Sequence, residues 1–166
     1  MRIIAGSLKG RRLDAPTWPG LRPTSDKLRE TLFNVLQGRL AEARVLDVYA
    51  GTGAVGIEAI SRGAAHVTFV EQDVRARALI AANLARCGLG MTGKRGPGQG
   101  QPGEGPGYTI ERGSAEDVLS RLEPVYDVVF LDPPYDEPDP AAPEAAGAPP
   151  ERRLVAGDSA LAFYGR

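Results

Sequence analysis

The chain has 166 residues, 42% hydrophobic and 25% charged, enough for one ordinary globular domain. It holds no run of about 18 apolar residues, which excludes a transmembrane helix; its first residues turn polar too soon for a signal peptide; and its single cysteine, Cys87, excludes an internal disulfide and fits a reducing, cytoplasmic compartment. The net charge of −1 hides an asymmetry: residues 1–44 carry nine Lys/Arg against four Asp/Glu, and the remainder carries eleven against seventeen, so a basic leader on an acidic body suits an anionic partner.

Residues 1–14 alternate apolar and basic positions around Gly6 and Gly10 and predict a short hairpin. A proline-rich loop with Trp18 and Arg22 follows, its tryptophan read as packed on the domain. At Pro23-Thr24-Ser25-Asp26, Thr24 or Ser25 can cap a helix that carries Leu28, Leu32, Val35 and Leu36 at helical spacing and runs to about Leu40. Strands and helices then alternate. Strands are predicted at Val45–Tyr49, His66–Glu71, Tyr108–Arg112 and Tyr126–Leu131, helices at Gly53–Arg62, Asp73–Cys87 and Ala115–Leu122. Such alternation implies parallel strands with right-handed crossovers, an α/β layered sheet. Residues 90–107, with eight glycines and three prolines, read as a flexible insertion, and the Pro/Ala-rich residues 137–166 as a disordered low-complexity tail. Cys87 reads as a packing residue and His66 as the start of a strand.

Two motifs carry chemistry. Asp132-Pro133-Pro134-Tyr135 directly follows the fourth strand. Its prolines stop the strand and stiffen the backbone, so an acid and a ring are held at the strand's C-terminal edge. An acceptor beside a flat ring suits a planar group bearing an NH2; the plain alternative is a proline turn. The second motif, Asp47-Val48-Tyr49-Ala50-Gly51-Thr52-Gly53, lies where the first strand meets its helix. Its glycines allow a tight turn and close approach of a ligand to free helix amides. Gly51, Gly53 and Gly56 also match the dinucleotide fingerprint, with Glu71 twenty residues after Gly51. A nicotinamide dehydrogenase therefore stays open. S-adenosylmethionine is favoured because Asp47 suits a cationic amino group and not a pyrophosphate, and because nothing else in the chain supplies hydride chemistry. Glu71 would accept from ribose hydroxyls, or be a plain exposed acid at a strand end. Ser114-Ala115 would meet an adenine edge, with Ser114 also a natural helix cap. In sheet order 3-2-1-4, strands one and four adjoin at the switch point. Asp47, Gly51, Asp132 and Tyr135 would then face one crevice.

The chain resembles the bacterial small-subunit (16S) ribosomal RNA guanine-N2 methyltransferases of the RsmD type. The matching residues are Arg2-Ile3-Ile4-Ala5-Gly6 with Lys9-Gly10-Arg11, the block Leu21–Phe33, the block Leu46–Ala59, and Asp132–Tyr135. The resemblance implies a Rossmann-like methyltransferase core over residues 45–136 and a basic N-terminal extension over residues 1–44 that engages RNA and helps close over the cofactor. It implies S-adenosylmethionine as donor, no metal, and the small ribosomal subunit as partner of a protein read as a cytoplasmic monomer. On this reading Asp132 and the Pro133 carbonyl accept from the guanine NH2, Pro134 stiffens the turn, and Tyr135 stacks on a splayed-out base. Tyr49, Thr52, Ser114 and Ala115 join the cofactor site, and Arg11, Arg12, Arg22 and Arg29 contact phosphates. The family pattern continues beyond Tyr135 with further strands, and none is predicted here. The fourth strand would then be an edge, and a truncated, inactive member is one alternative. The others are an amino-methyltransferase acting on adenine or cytosine, and the dehydrogenase.

Overall fold

The computed structural model describes residues 1–21, 24–89, 106–122 and 125–132, together with the backbone of residues 152–156 and 159–163. In chain order the elements are α1 (Asp26–Val35), β1 (Arg44–Val48), α2 (Ala54–Ser61), β2 (His66–Glu71), α3 (Val74–Arg86), β3 (Gly107–Arg112), α4 (Ala115–Leu119), β4 (Val128–Leu131), β5 (Arg152–Ala156) and β6 (Ser159–Phe163). The first four strands form one parallel sheet in the order β3-β2-β1-β4. This is the α/β order that the alternation predicts.

The period of two along each strand sorts side chains to opposite faces. Val45, Val67, Phe69, Val128 and Phe130 join the core beneath α1, α2 and α3, with Leu32, Phe33, Ile57, Ile80 and Leu84. Leu46, Val48, Val70, Val129 and Leu131 face the other way, toward Val118 of α4 and Tyr126. Both faces are covered, which is why these strands read as near-continuous apolar runs.

Element ends depart from expectation where single residues break the geometry. α1 stops at Val35 and not near Leu40, since Gly38 turns the chain with φ +86°. Leu36 and Leu40 are buried nonetheless. β1 ends at Val48 because Tyr49 takes φ +62°. The N-terminal hairpin has a single bridge, Arg2 with Arg12, supported by the Ile3 amide on the Arg11 carbonyl (2.9 Å) and the Gly10 amide on the Ile3 carbonyl (2.9 Å). β3 starts at Gly107, inside the segment read as an insertion; residues 90–105 lie outside the described residues.

The tail requires a correction. Residues 152–156 and 159–163 pair as an antiparallel hairpin, Arg152 opposite Phe163 and Ala156 opposite Ser159. β6 runs close to β4 without joining the parallel sheet. Two short apolar pieces separated by Gly157-Asp158 match a hairpin signal, though neither piece has a usable period alone. The rest of the predicted tail, residues 137–151, 157–158 and 164–166, lies outside the described residues.

Candidate active site

The site is built at the C-terminal ends of β1, β2, β3 and β4. β1 and β4 are parallel neighbours, with Asp47 opposite Phe130 and Val48 opposite Leu131. Asp132 follows Leu131 directly and lies two residues beyond Phe130, on the face that Asp47 shares. The two acids that sequence reasoning assigned to one crevice therefore meet across adjacent strands. Their charges interact.

Asp47 is almost wholly buried, and its Oδ2 accepts from the Gly56 amide in the first turn of α2 (2.9 Å). Burial pushes the Asp47 carboxyl up to about 8; the Gly56 hydrogen bond opposes this, and the negative charges of Asp132 and Glu71 add to it. A buried carboxyl ringed by two others makes a site that favours a cation.

The glycine turn runs through left-handed backbone at Gly51 (φ +56°) and Gly53 (φ +75°), which L side chains rarely adopt. Glu71 holds this turn. Its Oε2 accepts from the Gly51 amide (2.9 Å) and its Oε1 from the Asp73 amide (2.9 Å). It is buried, so the reading of Glu71 as a plain exposed acid does not hold. Beside it lies a crevice lined by Tyr49, Val70, Glu71, Gln72, Gly113 and Ala115. Tyr49, Glu71 and Ala115 were predicted for the cofactor site; Gln72 and Gly113 were not. Gly113, between the end of β3 and the cap of α4, is the one of the two with a sequence signal. Ser114 takes the capping role, accepting from the Asp117 amide (3.1 Å).

Thr52 faces the leader. Its hydroxyl lies 3.8 Å from the Met1 sulfur, and its carbonyl accepts from Asn83 Nδ2 (3.0 Å). Asn83, fully buried on α3, also grips the backbone of Asp14 through its Oδ1 (2.7 Å) and Nδ2 (3.2 Å). One amide side chain thus ties leader, helix and glycine turn together. A lone Asn in a helical pattern gives no warning of this. The leader also contacts α3 through Trp18, whose ring stacks under the Arg75 guanidinium (5.2 Å), and reaches the site through Thr24, whose hydroxyl donates to Asp132 Oδ2 (3.2 Å).

The predicted phosphate-binding arginines separate. Arg11 and Arg12 are exposed on the hairpin. Arg29 is fully buried: its Nη2 donates to the Arg2 carbonyl (2.8 Å), and it pairs with Asp26 and Glu58. The assignment of Arg29 to a phosphate is corrected to an internal tie. Arg22, Pro133, Pro134 and Tyr135 lie outside the described residues.

A family model described as "Conserved hypothetical protein 95" matches residues 1–148. The chain is 38% identical over 135 residues to Ribosomal RNA small subunit methyltransferase D of Escherichia coli strain K12, covering 81% of this chain and 60% of that protein. It is 36% identical over 140 residues to Putative rRNA methyltransferase YlbH of Bacillus subtilis strain 168, covering 82% of this chain and 68% of the relative. The chain thus spans about 60% of the length of the first of these relatives. Among solved structures, the putative methyltransferase yhhF from Escherichia coli superposes with a TM-score of 0.72 at 28% identity, covering 100% of this chain and 97% of that one. The hypothetical protein TTHA0928 of Thermus thermophilus superposes with a TM-score of 0.73 at 28% identity, covering 100% of this chain and 99% of that one.

Proposed function

This chain belongs to the RsmD-type family, and on that premise we propose that it transfers a methyl group from S-adenosylmethionine to the exocyclic N2 of a guanine in small-subunit ribosomal RNA. The observation that carries the reading is the meeting of the Asp47 turn and Asp132 at the ends of adjacent parallel strands. Ligands of open α/β sheets bind at this switch point.

The residues present fit the donor. Asp47, Glu71 and Asp132 offer three carboxyl groups to a ligand carrying an ammonium and a sulfonium, whose positive charge favours the ionised form of Asp47 against its burial, and Glu71, beside the glycine turn, would accept from ribose hydroxyls. The same residues fit a dinucleotide badly. The α2 amide that would cradle a pyrophosphate is already bonded to Asp47, and the surrounding negative charge would repel phosphate. The third glycine of the fingerprint has another use: a Cβ at Gly56 would lie 2.3 Å from Phe69 Cε1, so it serves helix-on-sheet packing.

When bound, the donor supplies a methyl group on a positively charged sulfur. The chain's part is to orient the acceptor. The guanine amine is a weak nucleophile because its lone pair is delocalised into the ring. Asp132, with the Pro133 carbonyl, accepts from the NH2, favours pyramidal nitrogen and aims its lone pair; Tyr135 stacks on the base. Positioning supplies most of the rate gain, and no strong base is required before attack: the surplus N–H proton passes to water or to Asp132, which already accepts from that nitrogen, once the methyl has arrived. The basic leader, with Arg11 and Arg12 exposed, engages RNA phosphates.

Tritiated S-adenosylmethionine and unmethylated 16S RNA, free and in small subunits, test the reading. Digestion to nucleosides is expected to give labelled N2-methylguanosine; labelled adenosine or cytidine would move the target to another base. Asp132→Ala is expected to lower transfer at least about 100-fold while calorimetry shows nearly unchanged donor binding. Equal loss of both would make Asp132 structural. A donor that leaves the thermal midpoint unmoved would mark a chain without a competent donor site.

A further inference from the structure

We infer that Thr24 is a positioning residue for Asp132: its hydroxyl holds one carboxylate oxygen toward the leader, so that the other meets the guanine amine, and docking of the leader becomes a condition of methyl transfer. The inference rests on the methyltransferase reading and adds to it a residue and a coupling that the motifs do not reveal.

The bond runs from Thr24 Oγ1 to Asp132 Oδ2, 3.2 Å long, part-buried, across 108 residues of sequence. It is not a by-product of helix capping. The adjacent Ser25 performs that task, accepting from the Leu28 amide (3.2 Å). Two neighbouring hydroxyls thus have separate duties, and α1 does not need the one on Thr24.

The contact belongs to a rigid mount. Phe130 and Asp132 are two residues apart at the end of β4 and so face the same side. α1 lies over that side, with Phe33 edge-on to Phe130 (ring centroids 5.8 Å apart). Arg29, one helical turn after Ser25, is fixed to the Arg2 carbonyl and to Glu58. The start of α1 is therefore set by the hairpin behind it and by β4 beneath it, and Thr24 projects from that start onto Asp132. Threonine also suits the task, because its branched Cβ restricts the hydroxyl to few rotamers.

A carboxylate on a strand end turns about two side-chain bonds. With Oδ2 engaged by Thr24, Oδ1 is left to accept from the NH2 in one orientation. If RNA moves the leader, it moves Thr24, and the acceptor site is completed or spoiled with it.

The test uses the full chain and single-turnover transfer from tritiated S-adenosylmethionine to unmethylated small-subunit RNA. Donor affinity comes from calorimetry, RNA affinity from filter binding, and folding from the thermal midpoint. Thr24→Val keeps shape and removes the hydroxyl; it is expected to slow transfer about 10- to 100-fold with both affinities within about two-fold of wild type. Thr24→Ser restores the hydroxyl and is expected to recover most of the rate. A Thr24→Val rate equal to wild type overturns the inference. So does a loss that follows donor binding or the thermal midpoint, or a Thr24→Ser variant as slow as Thr24→Val, since each marks a structural role. Active wild type beside unaffected Thr24→Val refutes Thr24 alone; an inactive wild type refutes the methyltransferase reading and the positioning role with it.

Discussion

A carboxyl group sealed under the first turn of a helix loses most of its hydration, and Asp47 shows the consequence. Its pKa is pushed to about 8, first by burial and then by Asp132 and Glu71, against the pull of the Gly56 amide. In the unfolded chain the same group ionises near 3.8. Below about pH 4 both states hold the proton, and no pH-dependent penalty arises. Between about 4 and 8 the unfolded chain gives up the proton while the folded chain keeps it, so stability falls as pH rises, by ~1.4 kcal/mol per pH unit for this group. Above about 8 both are ionised and the loss levels off. Asp47→Asn retains an oxygen for the Gly56 amide and removes the titration. Urea midpoints of the ligand-free protein at pH 5, 6.5 and 8 are expected to fall less steeply in Asp47→Asn than in wild type. Parallel slopes would place the raised pKa elsewhere.

At the scale of elements, α2 is the piece on which the leader is mounted. Glu58 is fully buried and accepts from the Ile4 amide (2.7 Å), the Ala5 amide (3.0 Å) and Arg62 Nε (2.9 Å), with Arg29 Nη1 at 3.6 Å. Ser61, one turn on, accepts from the Leu8 amide (2.9 Å) through its Oγ and from the Ser7 amide (2.7 Å) through its carbonyl. One acid thus satisfies the hairpin backbone and balances two arginines, Arg29 on α1 and Arg62 just after α2. Removing the charge leaves Arg29 buried with, among the described residues, the half-exposed Asp26 to compensate it. Breaking a buried pair from one side costs about 3–5 kcal/mol. Glu58→Gln is expected to lose that much in chemical denaturation, and to loosen the hairpin, read as faster exchange of the Ile4 and Ala5 amides. A loss under about 1 kcal/mol would put the pair in the class of weak surface bridges. In sequence, Glu58 and Arg29 look like ordinary polar positions on amphipathic helices. What separates a buried charge from a solvated one is a partner supplied by another part of the chain, and no local pattern carries that information.

For the whole molecule, the parts that were legible are those set by local periodicity. Short β-branched and apolar segments at residues 45–48, 66–71 and 128–131 gave strands, the alternation gave a parallel sheet, and turn chemistry placed Asp47 and Asp132 near strand ends. What escaped prediction depends on distance: the Thr24 bond, the Asn83 tie, the buried Arg29, and the β5–β6 hairpin whose halves are too short to show a period. The charge asymmetry was legible as a sum but not by residue. Residues 1–44 are strongly basic, yet Arg29 is internal while Arg11 and Arg12 stand in solvent. That difference makes the RNA-binding proposal divisible. Each cation that neutralises a phosphate releases a counterion, so log affinity falls with log salt by ~0.7 per contact on single strands and ~0.9 on duplex. Filter binding of small-subunit RNA across salt concentrations is expected to give a slope shallower by about 1.5 in Arg11→Gln/Arg12→Gln than in wild type. Arg29→Gln is expected to keep the wild-type slope and instead lower the unfolding midpoint, because its charge is spent inside the protein. An unchanged slope in the double variant would mean that the exposed hairpin arginines do not touch phosphate. A shallower slope in folded Arg29→Gln would mean that RNA binding draws α1 off its mount.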